Sequence, residues 1–230
     1  MGIEQLTVDY IEHSGSDISV VNAARVSFDL RSKPLGLSGV GDGPMIPVIH
    51  DLDKRLIKYL AEHEHYSPFN HTFVTFRCSA PLFVMGQLKK HEYMPWNEIS
   101  RRYVSAAPEF YRPDTWRERS EDKKQGSSDK TVETLEWQTA DQDCHTYEHP
   151  MSTMSSWIWS GTVKAVAKMC KLRCTPDTQY ESRVIADKIS EHMYTLYPVS
   201  WSALMGTNHP RIRPMTNEER QRSKDKQNGA

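Results

Sequence analysis

Residues 90–103, KHEYMPWNEISRRY, crowd Lys90, His91, Glu92, Asn97, Glu98, Ser100, Arg101 and Arg102 into one short stretch. These groups bind anions and orient water. A solvated helix face could carry such charges, but it would not need Pro95 and Trp96 in its middle. In an extended chain, alternate residues share a face. Glu98, Ser100 and Arg102 would then stand together as an acceptor, a small donor and a guanidinium fork. That set suits the base, sugar and phosphate of a nucleotide. A surface strand laced with salt bridges is the plainer alternative. Lys90 and His91 close a predicted helix, where its dipole alone accommodates cations.

Two other places invite chemistry. His63, His65 and His71 hint at a metal, but zinc needs three or four converging ligands. HxH at a helix end points its rings apart, and no nearby Cys or Asp completes a set, so no metal is expected. SPFNH reads instead as a tight turn, in which Ser67 either offers its hydroxyl to a cofactor or caps a strand entry. Cys174, in LRCTP, would need a lowered pKa and a paired base to be a nucleophile. Arg173 beside it is slender support, and buried helix-end thiols are common.

The elements that must position these groups follow from periodicity. Residues 16–30 read as a short helix running into an extended turn. Residues 31–50 read as a Gly/Pro-rich surface loop, since Pro44 and Pro47 stand where a phosphate loop would open a helix. Asp51 is expected to cap a helix with Leu52, Leu56, Ile57 and Leu60 on one face, ending near His63. HTFVTFRCSA alternates and reads as a strand. APLFVMGQLKK follows as a helix with Pro81 at its start, and it delivers the 90–103 stretch. Residues 112–130 read as an exposed loop and 131–148 as a weak helix. Residues 151–172 read as a buried helix, with a second beginning near Pro176. Residues 1–206 are expected to form one domain, and 207–230 a polar, disordered tail.

The chain has 230 residues, 37% hydrophobic and 10% aromatic, enough for a real core, and a net charge of -1. That balance argues against a protein built to coat nucleic acid or an anionic membrane. No apolar run approaches the roughly 18 residues of a membrane helix, and MGIEQLTVDYIEHSG lacks the regions of a signal peptide. Four cysteines without a CxxC pair read as reduced thiols, so a cytoplasmic protein is expected.

The 90–103 stretch also resembles the signature of the flavin-dependent thymidylate synthases, an Arg-His-Arg triplet followed by Ser-x-Asn-Glu-x-Ser-x-Arg-Tyr. Lys90-His91-Glu92 stands at the triplet, and Asn97-Glu98-Ile99-Ser100-Arg101-Arg102-Tyr103 matches the second half. AARVSFD (23–29), LIKYLAEHEHYSPFNHTFVTF (56–76), APLFV (80–84), PEFYRP (108–113) and LRCTPDTQYE (172–181) are similar to family segments in order. The resemblance implies an α+β fold, an antiparallel sheet packed with helices. It implies dTMP synthesis from dUMP, with methylenetetrahydrofolate as carbon donor and FAD, reduced by NADPH, as hydride source. It further implies a homotetramer whose subunits share active sites, and no cysteine nucleophile.

Carried over by position, Arg173 resembles the arginine that binds the uracil edge and activates the base, and Ser100 stands as a second catalytic candidate. Gln87, Lys90, Glu98, Ser100, Arg102 and Arg173 resemble the dUMP-binding set. Ser27, Ser67, Lys90, His91, Glu92, Glu98, Lys164 and Lys168 take the FAD positions, and His65 that of a histidine near flavin and folate. The departures are specific. Glu92 puts an anion, and Pro95 an imino acid, where the family has arginine and serine; either Lys89 and Lys90 offset the Glu92 charge, or Glu92 turns away and pairs with Arg101. Thr162, Lys164 and Lys168 stand where many members carry Asn, Arg and Asn. DQDCHTYEHP is a shortened segment in which Thr146 replaces a phosphate-binding arginine. This divergent form suggests a phage-encoded version acting in a host cytoplasm. A related pyrimidine nucleotide hydroxymethylase and a non-catalytic binding homologue are the competing readings.

Overall fold

Residues 3–39, 44–113, 116–119, 127–132, 150–176 and 178–206 are described by the computed structural model. A four-stranded antiparallel sheet runs in the order β1 (Thr7–Ser14), β4 (Phe73–Pro81), β8 (Met154–Gly161), β5 (Trp96–Glu98). Its period-two alternation decides which face is covered. Val74, Phe76, Cys78 and Ala80 of β4 are buried, as are Trp157, Trp159 and Gly161 of β8. Phe76 pairs with Trp159 and Cys78 with Trp157 across the ladder, so the large rings meet on one side. Trp96 of β5 stacks on Trp157, with ring centroids 4.5 Å apart. The opposite face carries Thr75, Arg77, Ser79, Ser156, Ile158 and Ser160.

Helices cover the apolar face: α1 (Asp17–Arg25), α2 (Asp51–Glu62), α3 (Leu82–Leu88), α4 (Val163–Arg173), α5 (Tyr180–Leu196) and α6 (Pro198–Met205). Among the described residues, the buried apolar side chains from Leu6 to Met205 form one cluster. The fold is therefore α+β with an antiparallel sheet, as the resemblance implied.

Two buried carboxylates tie the helices together. Asp53 accepts from Arg25 Nη2 at 2.7 Å and from Ser32 Oγ at 2.9 Å. This clamp folds the chain after α1 back onto α2 and leaves the intervening 3-10 turn, Val26–Phe28, outward. Asp17 is 1% exposed and accepts from the backbone N–H groups of Val199, at 2.9 Å, and Ser200, at 2.8 Å. It thus caps α6 from outside that helix, satisfying donors that would otherwise be orphaned. We expect Asp17→Ala to cost about 2–3 kcal/mol, because two buried N–H groups lose their acceptor. A lower urea midpoint at unchanged slope checks this.

Several expectations are corrected. Residues 31–50 are not loop throughout, because Gly36–Ser38 (β2) pairs with Ile46–Val48 (β3) around Pro47. Asp51 is the first helical residue, bonded to Lys54 at 2.8 Å, and His50 holds the cap position. Leu52 is exposed, so the buried face of α2 rests on Asp53, Ile57 and Leu60. Residues 112–130 contain β6 (Trp116–Arg119) and most of β7 (Ser127–Val132), which pair as a hairpin. Residues 151–172 divide. Met154–Gly161 is a strand because Trp157, Trp159 and Gly161 alternate inward, and the helix starts only at Val163, capped by Thr162. The weak helix predicted for 131–148 lies outside the described residues except Thr131 and Val132, which belong to β7. The 207–230 tail lies outside them entirely.

Candidate functional site

The chain reverses twice around the end of α3. That helix stops at Leu88, and the following turn passes through Tyr93 at φ 62, a left-handed conformation that costs a non-glycine residue energy. The turn brings His91 back toward α4. There Arg173, in the last turn of α4, donates from Nε to His91 Nε2 at 3.0 Å and from Nη2 to the Gln87 carbonyl at 3.1 Å. Arg173 and His91 are both half-buried. Burial pushes the His91 imidazole down to about 4, and the positive charges of Arg173 and Lys168 push the same way. His91 is therefore neutral near pH 7 and accepts through Nε2, which places its proton on Nδ1. Burial also lowers the Arg173 pKa, but a guanidinium keeps its charge. Among the described residues two of its five N–H donors are committed, which leaves three to offer a ligand.

Gln87 joins the same cluster. Its amide oxygen accepts from Ser182 Oγ at 2.9 Å, and its amide nitrogen donates to Gln179 Oε1. Arg173, His91 and Gln87 come from α4, the turn after α3, and α3 itself, and α5 supplies the support.

A row of lysines runs up α4 from this cluster. Lys164, Lys168 and Lys171 are spaced i, i+4, i+7, so they lie on one side of the helix. Burial lowers the Lys164 pKa, Lys171 and Lys168 add to the effect, and Glu64 opposes it. Lys164 sits over the Tyr66 ring, 2.9 Å from its centroid. Thr162 caps α4 by accepting from Ala165 N, and it donates to Asn70 Oδ1 at 2.9 Å. Asn70 belongs to the 3-10 turn Ser67–His71, which places exposed Ser67 at the N-terminal end of α4 and Arg173 at the other. The same turn packs on α1, whose end leads into Ser27. His65 is exposed beside Tyr59, edge to face at 6.1 Å. Among the described residues, no group of three or more His, Cys, Asp or Glu could hold a metal ion.

Glu92 pairs with Lys168, at 3.3 Å. It does not pair with Arg101, which donates to the Ala106 carbonyl at 3.0 Å. Both members of the Glu92–Lys168 pair are largely exposed, so it contributes little to stability. What it does is mask one cation of the row. If the row binds FAD, as the sequence resemblance implies, Glu92→Arg should free Lys168 and tighten FAD binding by about fivefold, a screened-charge effect that added salt reduces. Titration of apoprotein with FAD at low and moderate salt checks this. Weaker binding at both would show that Glu92 assists the ligand.

The extended 98–100–102 face does not form. The strand ends at Glu98, and the chain turns so that Tyr103 N donates to the Ser100 carbonyl at 3.0 Å. Glu98 is held by Trp96 Nε1 at 2.6 Å and Lys89 Nζ at 3.0 Å. Burial works against its charged form, but those two hydrogen bonds and the Lys89 charge prevail and hold its carboxyl below the usual range. Arg102 leans on Tyr103, and Lys90 is exposed. Among the described residues, neither Ser100 nor Arg102 bonds to Arg173, Gln87 or His91. Ile99 and Arg101 face a cavity of about 380 Å³ on the open side of the sheet, with Thr7, Ser79 and Ser156. Cys174 is buried, and its contact with Cys170, then burial, raises its thiol pKa, which removes it as a nucleophile. Thr146 lies outside the described residues.

Lys171, Gln179 and Ser182 are not anticipated by the sequence. Periodicity with Lys164 and Lys168 could have found Lys171. Nothing local signals the other two.

A family model described as thymidylate synthase complementing protein (Thy1) matches residues 9–199. The chain belongs to that family. Curated relatives include the flavin-dependent thymidylate synthase of Pseudothermotoga lettingae, 25% identical over 213 residues, covering 86% of this chain and 89% of the relative. The one from Thermus thermophilus is 28% identical over 215 residues, covering 85% and 74%. The one from Thermotoga neapolitana reaches 38% over 106 residues, covering 46% and 42%. Among solved structures, a UMP/dUMP methylase PolB from Streptomyces cacaoi, bound with 5-Br dUMP, superimposes with a TM-score of 0.65 at 24% identity, covering 91% of this chain and 97% of that one. That likeness places the Thy1 chain in the same fold.

Proposed function

We propose that this Thy1-family chain is a flavin-dependent thymidylate synthase, making dTMP from dUMP with methylenetetrahydrofolate as carbon donor, FAD as cofactor and NADPH as reductant. The observation that carries the reading is Arg173, a half-buried guanidinium fixed on two sides by His91 and the Gln87 carbonyl with donors to spare. A preorganised cation of this kind stabilises negative charge that develops on a pyrimidine as its C5 becomes nucleophilic. It needs no reorganisation at the moment of reaction, because its two anchors are already made.

The donor set suits an anionic dinucleotide. The Lys164–Lys168–Lys171 row links the Ser67 turn to Arg173, and an eleven-residue helix spans about 16 Å. Ser67, Ser27, Lys164 and Lys168 would hold the phosphates and sugars of FAD, while neutral His91 would spare its ring from added positive charge. Bound there, FAD would supply the hydride that completes the methyl group. Gln87, Lys90, Glu98, Ser100 and Arg102 would hold dUMP, and His65 would stand near the folate. Ser100 would bind and would not attack, because hydride chemistry requires no serine nucleophile.

A homotetramer with shared sites accounts for two otherwise unconnected features. Among the described residues Ser100 and Arg102 make no bond to Arg173, Gln87 or His91, and in a shared site a neighbouring subunit would supply them. Val26 and Phe28 are 71% and 77% exposed around Ser27, an apolar surface suited to a second copy. No helix among the described residues is long and apolar enough to cross a membrane, and we place the enzyme in the cytoplasm. The test is spectroscopic. Purified protein reconstituted with FAD should be yellow and should oxidise NADPH faster when dUMP is added. No bound flavin after excess FAD would refute the reading.

A further inference from the structure

We propose that Ser182 and Gln179 are positioning residues that hold the Gln87 amide in one orientation toward the nucleotide. The inference rests on the reading of Gln87 as a dUMP-binding residue. Gln87 lies in the last turn of α3, and three long-range bonds converge on it. Ser182 Oγ donates to its Oε1 at 2.9 Å, its Nε2 donates to Gln179 Oε1, and its carbonyl accepts from Arg173 at 3.1 Å. Both partners belong to the start of α5, where such side chains ordinarily serve their own helix. Gln179 occupies the cap position, yet its side chain makes no capping bond. Ser182 is fully buried, in the first turn, with its hydroxyl turned to Gln87. The first turn of α5 is thus built around the amide of another helix.

The chemistry gives this arrangement a purpose. A glutamine amide has two donor and two acceptor sites. The bonds to Ser182 and Gln179 use one of each, and leave one N–H and one lone pair with fixed directions. Without Ser182 the amide rotates, and a half-turn exchanges donor for acceptor. A ligand then meets the wrong group part of the time and must order the side chain on binding. Because Arg173 is anchored to the Gln87 backbone, the guanidinium stays in place when the amide turns. The loss therefore falls on nucleotide affinity and spares turnover.

The experiment is calorimetric titration of the FAD-loaded protein with dUMP, in wild type, Ser182→Ala, Gln87→Ala and the double variant. We expect Ser182→Ala to weaken dUMP binding about tenfold, with turnover at saturating dUMP within about twofold of wild type. In the Gln87→Ala background the same change should have no further effect, since its only route to the ligand is gone. Equal weakening in both backgrounds would reveal a general structural effect and overturn the proposal, as would a Ser182→Ala affinity within about twofold of wild type. An unchanged affinity in Gln87→Ala overturns it too. A wild-type protein that binds FAD but no dUMP refutes the proposed function itself, so the two failures are told apart. If Ser182→Ala does not fold, Gln179→Leu, at a partly exposed position, enters the same cycle with the same expected outcome.

Discussion

Arg173→Ala should lower the rate of thymidylate formation by about a hundred- to a thousandfold, the cost of removing one preorganised charge-stabilising donor. FAD should remain bound, because the lysine row along α4 and the Ser67 turn are untouched. Arg173→Lys should fail to restore the rate. An ammonium is a point charge and cannot bond His91 and Gln87 while still offering parallel donors to a ligand. Cys174→Ala, one residue away, should be nearly silent, because that thiol is buried and held protonated by its contact with Cys170 and by burial. A variant lacking Arg173 that kept more than about half the wild-type turnover would show the residue to be misassigned.

His91→Leu should produce the second-largest effect. Hydrogen bonds to charged groups contribute about 1.5–3 kcal/mol, so losing the Arg173 acceptor should reduce turnover about ten- to hundredfold. The same residue leaves a signature in stability. Its pKa lies at about 4 in the folded chain, against an ordinary 6.5. The unfolded chain therefore takes up the proton first on acidification. The stabilisation from neutral His91 is complete above about pH 6.5, declines as the pH falls and is gone below about 4. His91→Leu should lose that part of the acid sensitivity. Urea midpoints of both proteins at about pH 7 and about pH 5 check this: the drop should be smaller in the variant. An equal drop in both would mean that His91 does not titrate as its surroundings imply.

How far the residues announced this arrangement differs from element to element. The strand at Phe73–Pro81 was legible because its alternation is clean and one of its faces is fully covered. The strand at Met154–Gly161 was read as helix. Val163, Val166, Ala167 and Cys170 do share one helical face, but Trp157 falls well off it, and its alternation with Trp159 and Gly161 up to Thr162, the helix cap, is the pattern of a strand. Glu98, Ser100 and Arg102 looked coplanar only if the chain stayed extended, and the turn at Arg101–Tyr103 cancels that. Arg173 and His91 were found through motif resemblance, but not their bond, which joins residues 82 positions apart. The Glu92–Lys168 and Ser182–Gln87 contacts are of the same kind. Local periodicity carries no information about them, since they are made by the packing of α3, α4 and α5.

The Glu92–Lys168 pair also bears on the product. If the lysine row holds the flavin as proposed, the pair masks one of its cations, and a hydroxymethyl product is the outcome expected if reduction fails to follow carbon transfer. The decisive measurement is mass-spectrometric analysis of the nucleotide formed from dUMP by the FAD-loaded protein, with methylenetetrahydrofolate and NADPH under anaerobic conditions. The account predicts dTMP, formed in step with NADPH consumption and absent when FAD is withheld. A 5-hydroxymethylated nucleotide, or dUMP returned unchanged by protein that has bound FAD, would contradict it.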